Sequence, residues 1–104
     1  MRKDKAAKLM KAGWNVGSAS DFLGLNEEES AIIDMKISLS KKFVALRKTS
    51  QLTQVQAAKV LHTSQSRIAK MESGDPSVSI ELLIKGMLGL GASKRTVGQT
   101  LVKA

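Results

Sequence analysis

The 104-residue chain contains no cysteine and a single histidine, His62. The absence of cysteine excludes disulfides and thiolate metal sites, and one histidine cannot build a multi-histidine metal site. The chain also lacks a glycine-rich phosphate loop, and no pair of acidic residues has an evident catalytic partner. We therefore expect no enzymatic activity, no bound metal and no cofactor.

Aromatic residues make up only 3% of the sequence, and proline occurs once. No alternation of polar and apolar residues persists long enough for a sheet, whereas Leu, Ile, Val, Ala and Met recur at helical spacing. The core must then be aliphatic and rich in methionine. The sequence predicts an all-α fold, a small bundle of about five helices.

Long apolar segments are missing as well. No run approaches the roughly 20 residues that cross a membrane. The N-terminal sequence MRKDKAAK lacks the apolar stretch of a secretory signal. We expect a cytoplasmic protein with no membrane partner.

Positive charge is what the sequence has in excess: the formal net charge is +8 and the isoelectric point is about 10.1. This excess indicates an anionic partner, which could be nucleic acid, a membrane surface or an acidic protein. Residues 39–75 carry a net charge of +5, whereas residues 13–38 carry −4. Positive charge is thus concentrated in residues 1–12, which carry +4, and in the segment 39–75.

Part of that segment, Leu52 to Gly74, has the pattern of two short helices joined by a tight turn. Thr53 can cap the first helix, and Gln56 completes a capping box. The spacing predicts that this helix buries Val55, Ala58 and Leu61, with Ala57 beside them.

The second helix of the segment should begin at Thr63 or Ser64 and turn Ile68 and Met71 inward. Its other side chains then face mostly outward, namely Gln65, Ser66, Arg67, Ala69 and Lys70. Amides, hydroxyls and cations of this kind match base edges and phosphates.

The combined pattern resembles the helix-turn-helix of the phage-repressor-like XRE/Cro family. The resemblance is carried by Leu52-Thr53-Gln54, Ala58, Thr63-Ser64-Gln65-Ser66, Ile68 and Met71-Glu72-x-Gly74, and it covers about residues 39–91. It implies a lambda-repressor-like motif, residues 52–74, whose second helix enters the major groove of DNA.

Matched position by position, the resemblance implies DNA contacts from Gln54, Ser64, Gln65, Ser66, Arg67 and Lys70. It also implies a structural ion pair between Arg47 and Glu72. One position departs from the family pattern, because His62 stands where the turn usually has a glycine. Positive φ is uncommon for a residue other than glycine, so a slightly altered turn is expected.

The chain divides by composition into a basic N-terminal extension with a leader loop, residues 1–25, and a DNA-binding domain with a C-terminal helix, residues 26–104. The basic arm, residues 1–12, is either a solvated terminus or a segment that adds affinity along the DNA backbone. The leader, Trp14 to Leu25, either pins the extension onto the domain or forms an interface. It also resembles the leader of small XRE-type proteins encoded beside toxin genes.

Three further helices flank the motif. Asn26, with Glu29, should cap either one long helix or two helices with a bend near Ser38–Ser40. The core residues of its second half should be Leu39, Phe43 and Leu46, while its apolar first half indicates a dimer surface. Ser79 and Ser93 should cap the last two helices, whose apolar stripes are Ile80, Leu83, Ile84, Met87 and Leu88, and Val97, Leu101 and Val102.

Together these features predict a sequence-specific transcriptional regulator, an operator-binding repressor that acts as a homodimer on double-stranded DNA. The alternative is a HigA-like antitoxin of a type II toxin–antitoxin pair that also represses its own operon. In that case we expect the toxin to contact the acidic stretch, residues 21–34, and the apolar residues beside it.

Overall fold

A computed structural model describes residues 26–104, so the expectations for the basic extension and the leader loop, residues 1–25, lie outside the described residues. The chain divides into two units after Ile33, and each is considered by itself. The described part contains five helices and no strand. They are α1 (Glu27–Thr49), α2 (Gln54–Val60), α3 (Gln65–Ser73), α4 (Ile80–Gly89) and α5 (Lys94–Val102). This architecture confirms the all-α prediction, and α1 is one continuous helix.

Each of the five helices begins at a predicted polar cap. Asn26 Oδ1 accepts from the Glu29 amide at 2.7 Å, and Glu29 Oε1 accepts from the Asn26 amide at 3.1 Å. Thr53 and Gln56 form the same reciprocal box at the start of α2. Ser64, Ser79 and Ser93 cap α3, α4 and α5. Ser64 rather than Thr63 therefore starts the second helix of the motif.

Four of the five described helices are followed by a residue in the left-handed region, as is common at helix C-termini. Gly74 follows α3 with φ 72° and Gly91 follows α4 with φ 99°. After α1 and α2 the same position holds Gln51, with φ 60°, and His62, with φ 57°. Thr63 N–H donates to Ala58 O at 2.9 Å and Leu52 N–H to Arg47 O at 3.1 Å, so both ends satisfy orphan carbonyls.

A compact aliphatic core joins all five helices. Its fully or almost fully buried members are Leu39, Phe43, Ala57, Ala58, Ile68, Met71, Val78, Leu83, Met87 and Val97. Ser40 is the buried polar residue of the described part, and its hydroxyl has no hydrogen-bond partner there. Within the described part, no helix has the length and apolar character needed to cross a bilayer.

Three predicted core residues are exposed instead. Val55 is 52% exposed because the inward stripe of α2 consists of positions 54, 57, 58 and 61, with Gln54 at its beginning. Leu88 is 43% exposed because α4 turns positions 80, 83, 84 and 87 inward. Val102 is 86% exposed in the last turn of α5, because Val97 and Leu101 are the residues of this helix that pack against the core.

Gly86 lets α4 pack closely against the core. A Cβ atom at this position would lie 2.7 Å from Met71 Cε and 2.8 Å from Phe43 Cε1. The methionine terminus can shift, but the fully buried Phe43 ring is confined by its neighbours.

We predict that Gly86→Ala destabilises the protein. Overpacking costs about 1–3 kcal/mol, and the better helix propensity of alanine returns only about 1 kcal/mol of that. Gly98→Ala is the matched control, since nothing lies within 4 Å of the added Cβ in α5. It should stabilise by up to about 1 kcal/mol. Urea unfolding of both variants checks this, and equal effects would contradict it.

Candidate nucleic-acid interface

Helix α3 presents a polar face to solvent because its opposite face is anchored in the core. Ile68 is fully buried and Met71 is 1% exposed. Of the residues predicted to face outward, Gln65, Ser66, Arg67 and Lys70 are exposed, and Ala69 is half-buried. Ser64 is exposed too, although its hydroxyl accepts from the Arg67 amide at 3.1 Å.

Arg47 and Glu72 fasten the last turn of α3 to α1. The Nε and Nη2 groups of Arg47 both donate to the Glu72 carboxylate, the latter at 3.1 Å, and Nη1 donates to Leu52 O at 2.8 Å. Only 13% and 10% of the two side chains' surface is exposed. The guanidinium thus joins α1, the chain just before α2, and the end of α3.

The same carboxylate begins a chain of hydrogen bonds that reaches the tip of the motif. Gln54 Nε2 donates to Glu72 Oε1 at 3.0 Å. Gln65 Nε2 in turn donates to Gln54 Oε1 at 2.7 Å. The first residues of α2 and α3 are thereby held against each other. The resemblance assigned Gln54 to a phosphate, and here both ends of its amide have protein partners.

Electrostatics favours the charged forms of the pair. Partial burial opposes ionisation of Glu72, but hydrogen bonds from Arg47 and Gln54 outweigh it and hold the pKa of Glu72 below its ordinary value. The hydrogen bond to Glu72 raises the pKa of Arg47. The first turns of α2 and α3 contain no acidic residue. The exposed side of the motif therefore offers no carboxylate at the two helix starts, where an anion would approach.

The sequence pattern did not predict two of the contacts that build this site. One is the carbonyl of Leu52, which accepts from Arg47 because Gln51 bends the chain back at its positive φ. The other is the contact between Gln54 and Gln65. The sequence shows that each is the first residue of its helix. It does not show that the two helices cross so that the two amides meet. In the described residues no cluster of histidine or acidic side chains is arranged to hold a metal ion.

Comparison with known proteins locates the same segment. Residues 44–85 match a family model described as helix-turn-helix. The match contains α2 and α3 entirely and includes parts of α1 and α4. No curated protein and no solved structure shows a significant match to the chain.

We predict that Glu72→Gln destabilises the protein by about 1–3 kcal/mol at pH 7, because Arg47 loses its charged partner in a largely desolvated site. The pKa of Glu72 is lowered by folding, so its stabilisation is present above the ordinary carboxyl pKa of about 4.3 and is lost as the pH falls below it. The difference between wild type and variant should shrink below about pH 4.

Urea unfolding as a function of pH measures this difference. Glu81→Gln is the control, since Glu81 is an exposed acid in the first turn of α4. A gap between wild type and Glu72→Gln that stays constant down to pH 2 would contradict the electrostatic origin.

Proposed function

We propose that the chain is an operator-binding repressor that acts as a homodimer. The match of residues 44–85 to the helix-turn-helix model supports a DNA-binding transcription regulator of the XRE type. The observation that supports sequence-specific reading is the free hydrogen-bonding capacity of Gln65. This amide is exposed at the beginning of α3, and one of its N–H groups donates to Gln54.

The remaining groups of Gln65 suit one base in particular. A glutamine amide has two N–H donors and a carbonyl acceptor, so Gln65 keeps one donor and its acceptor while bonded to Gln54. Adenine presents the complementary pair in the major groove, the N7 acceptor and the N6 donor. In this proposal Gln65 reads an adenine, and Gln54 is a positioning residue that orients its amide and approaches the backbone.

In this proposal, the other exposed side chains near the start and along α3 contact either bases or phosphates. Arg67 and Lys70 are cations that can pair with guanine or with the backbone. Ser64 and Ser66 carry hydroxyls at the start of the helix, where phosphate oxygens are favoured. Buried Ile68 and Met71 keep this set at a fixed orientation.

The short length of α3 is the reason for proposing a homodimer, because one short helix contacts few base pairs. Helix α3 has nine residues, and only its first turns can reach base edges. Two copies on half-sites about 10 base pairs apart would supply the affinity that one lacks. Selection of bound fragments from random DNA, followed by footprinting, should yield inverted repeats with this spacing. A single unrepeated site bound by a monomer would refute the dimer.

An antitoxin function is the second candidate. Ile32 and Ile33 are 49% and 41% exposed, and they follow the acidic turn Glu27, Glu28 and Glu29. Apolar side chains beside carboxylates suit a basic protein partner. Co-expression with the product of the adjacent gene decides between the candidates, since an antitoxin co-purifies with it and a plain repressor does not.

We predict that Gln65→Ala weakens binding to the selected operator by about 1–3 kcal/mol and relaxes preference at one base position. Binding to a duplex of shuffled sequence should stay unchanged. Gln54→Ala should weaken operator binding less, and the two effects should not add, because the residues share a hydrogen bond. Equal losses of Gln65→Ala on operator and shuffled DNA would show that Gln65 contacts only the backbone.

We also predict a steep salt dependence of operator affinity. The logarithm of the binding constant should fall with a slope of about −0.9 per neutralised phosphate. If Lys70 contacts a phosphate, Lys70→Gln reduces that slope by about 1. Lys85→Gln removes the same charge from α4 and should leave the slope unchanged. A flat dependence for the wild type would contradict the role given to the positive charge.

A further inference from the structure

A second basic site lies outside the helix-turn-helix, in a groove of about 320 Å³ between α1 and α5. Its lining consists of three lysines, two threonines, a serine and a glutamine, and no lining residue belongs to α2 or α3. The volume is at the lower end of the range found for small-molecule sites, roughly 300–1,000 Å³. The groove is therefore large enough for a small ligand.

The groove walls contribute cations from both helices. Lys41 and Lys42 come from α1, and Lys103 comes from the end of α5. Lys42 is half-buried, whereas Lys41 and Lys103 are exposed. No lining residue has a carboxylate, and Asp34, one helical turn before Ser38, is not part of the lining. Positive charge in the groove is thus not neutralised by its own walls.

The neutral lining residues add directional donors. Ser38, which is half-buried, offers a hydroxyl, and Gln99 offers an amide at the exposed side. Thr100 donates its hydroxyl to Thr96 O at 2.8 Å, so it shapes the groove without providing a donor to a ligand. Several cations with a hydroxyl and an amide match a group with several anionic oxygens.

The placement of these lysines differs from that of lysines on an ordinary solvent-exposed helix face. On a single helix, lysines at successive positions such as 41 and 42 point about 100° apart and diverge into water. Here both lysines line a groove whose other wall is formed by residues of α5, and Lys103 lines the same groove. Concave walls of one charge sign concentrate counter-ions more strongly than a convex surface does.

We propose that this groove binds a phosphate-bearing anion, independently of the helix-turn-helix. The oxygens of the ligand accept from the three lysines, and the hydroxyl of Ser38 and the amide of Gln99 complete the site. The ligand is either a small phosphorylated molecule or the phosphate backbone of nucleic acid. Since the site does not use α3, it persists even if the operator proposal fails.

Titration of the full-length, isotope-labelled protein with inorganic pyrophosphate tests the site by NMR at a constant 150 mM chloride. Saturable amide shifts should occur around Ser38, Lys42 and Thr100. The double variant Lys42→Gln/Lys103→Gln should lose roughly five- to tenfold in affinity, since each exposed ion pair contributes a few-fold. Lys85→Gln with Lys94→Gln removes the same charge outside the lining and should bind as the wild type does. Circular dichroism verifies that all variants are folded.

A second titration with a short duplex that lacks the operator identifies the source of the phosphate. If the duplex shifts the groove amides and binds the groove variant more weakly than the control variant, the ligand is the nucleic-acid backbone. If only pyrophosphate does so, the ligand is a small phosphorylated molecule. If neither probe gives saturable shifts, or if groove and control variants lose affinity equally with both probes, the proposal is overturned, because general charge screening would then explain the results.

Discussion

The ion pair between Arg47 and Glu72 is the contact on which the arrangement of the helix-turn-helix depends. Each charge is largely removed from water, so each is tolerated only because the other is present. The carboxylate also holds the amide of Gln54, and the guanidinium holds the carbonyl of Leu52. A loss at either residue would therefore disturb the end of α1, the start of α2 and the last turn of α3 together.

This arrangement links stability to recognition. Gln65 is exposed, yet its amide is held by Gln54, which is in turn held by Glu72. A side chain ordered before binding loses less conformational entropy when DNA arrives. If Gln65 reads a base as proposed, the network would contribute to affinity through residues that touch no base.

The sequence was sufficient for the fold class and for four of the five helix starts, and it placed the start of α3 at Thr63 or Ser64, because fold class and helix starts both depend on local signals. A cap such as Ser64 acts within one turn of the chain, and spacing reveals the buried face of a long helix. The sequence was insufficient where tertiary contacts determine which side chain faces inward or which conformation the backbone adopts. Gln54 occupies the inward position that the pattern gave to Val55, since Glu72 and Gln65 satisfy its amide. Glycine predicts the left-handed conformation after α3 and α4, but nothing in the residue type of Gln51 predicts the same conformation after α1.

Because α3 is short, its position depends on the core, and so would the proposed contacts with DNA. Nine residues form a marginal helix in isolation, so α3 exists because Ile68 and Met71 are buried. The place of Met71 depends in turn on Gly86, whose missing side chain lets α4 approach. A methyl group added there would press on the confined Phe43 ring and on the end of the Met71 side chain, a residue of α3. If α3 carries the base contacts as proposed, small changes in this layer should alter DNA binding, because a hydrogen bond to a base tolerates little displacement.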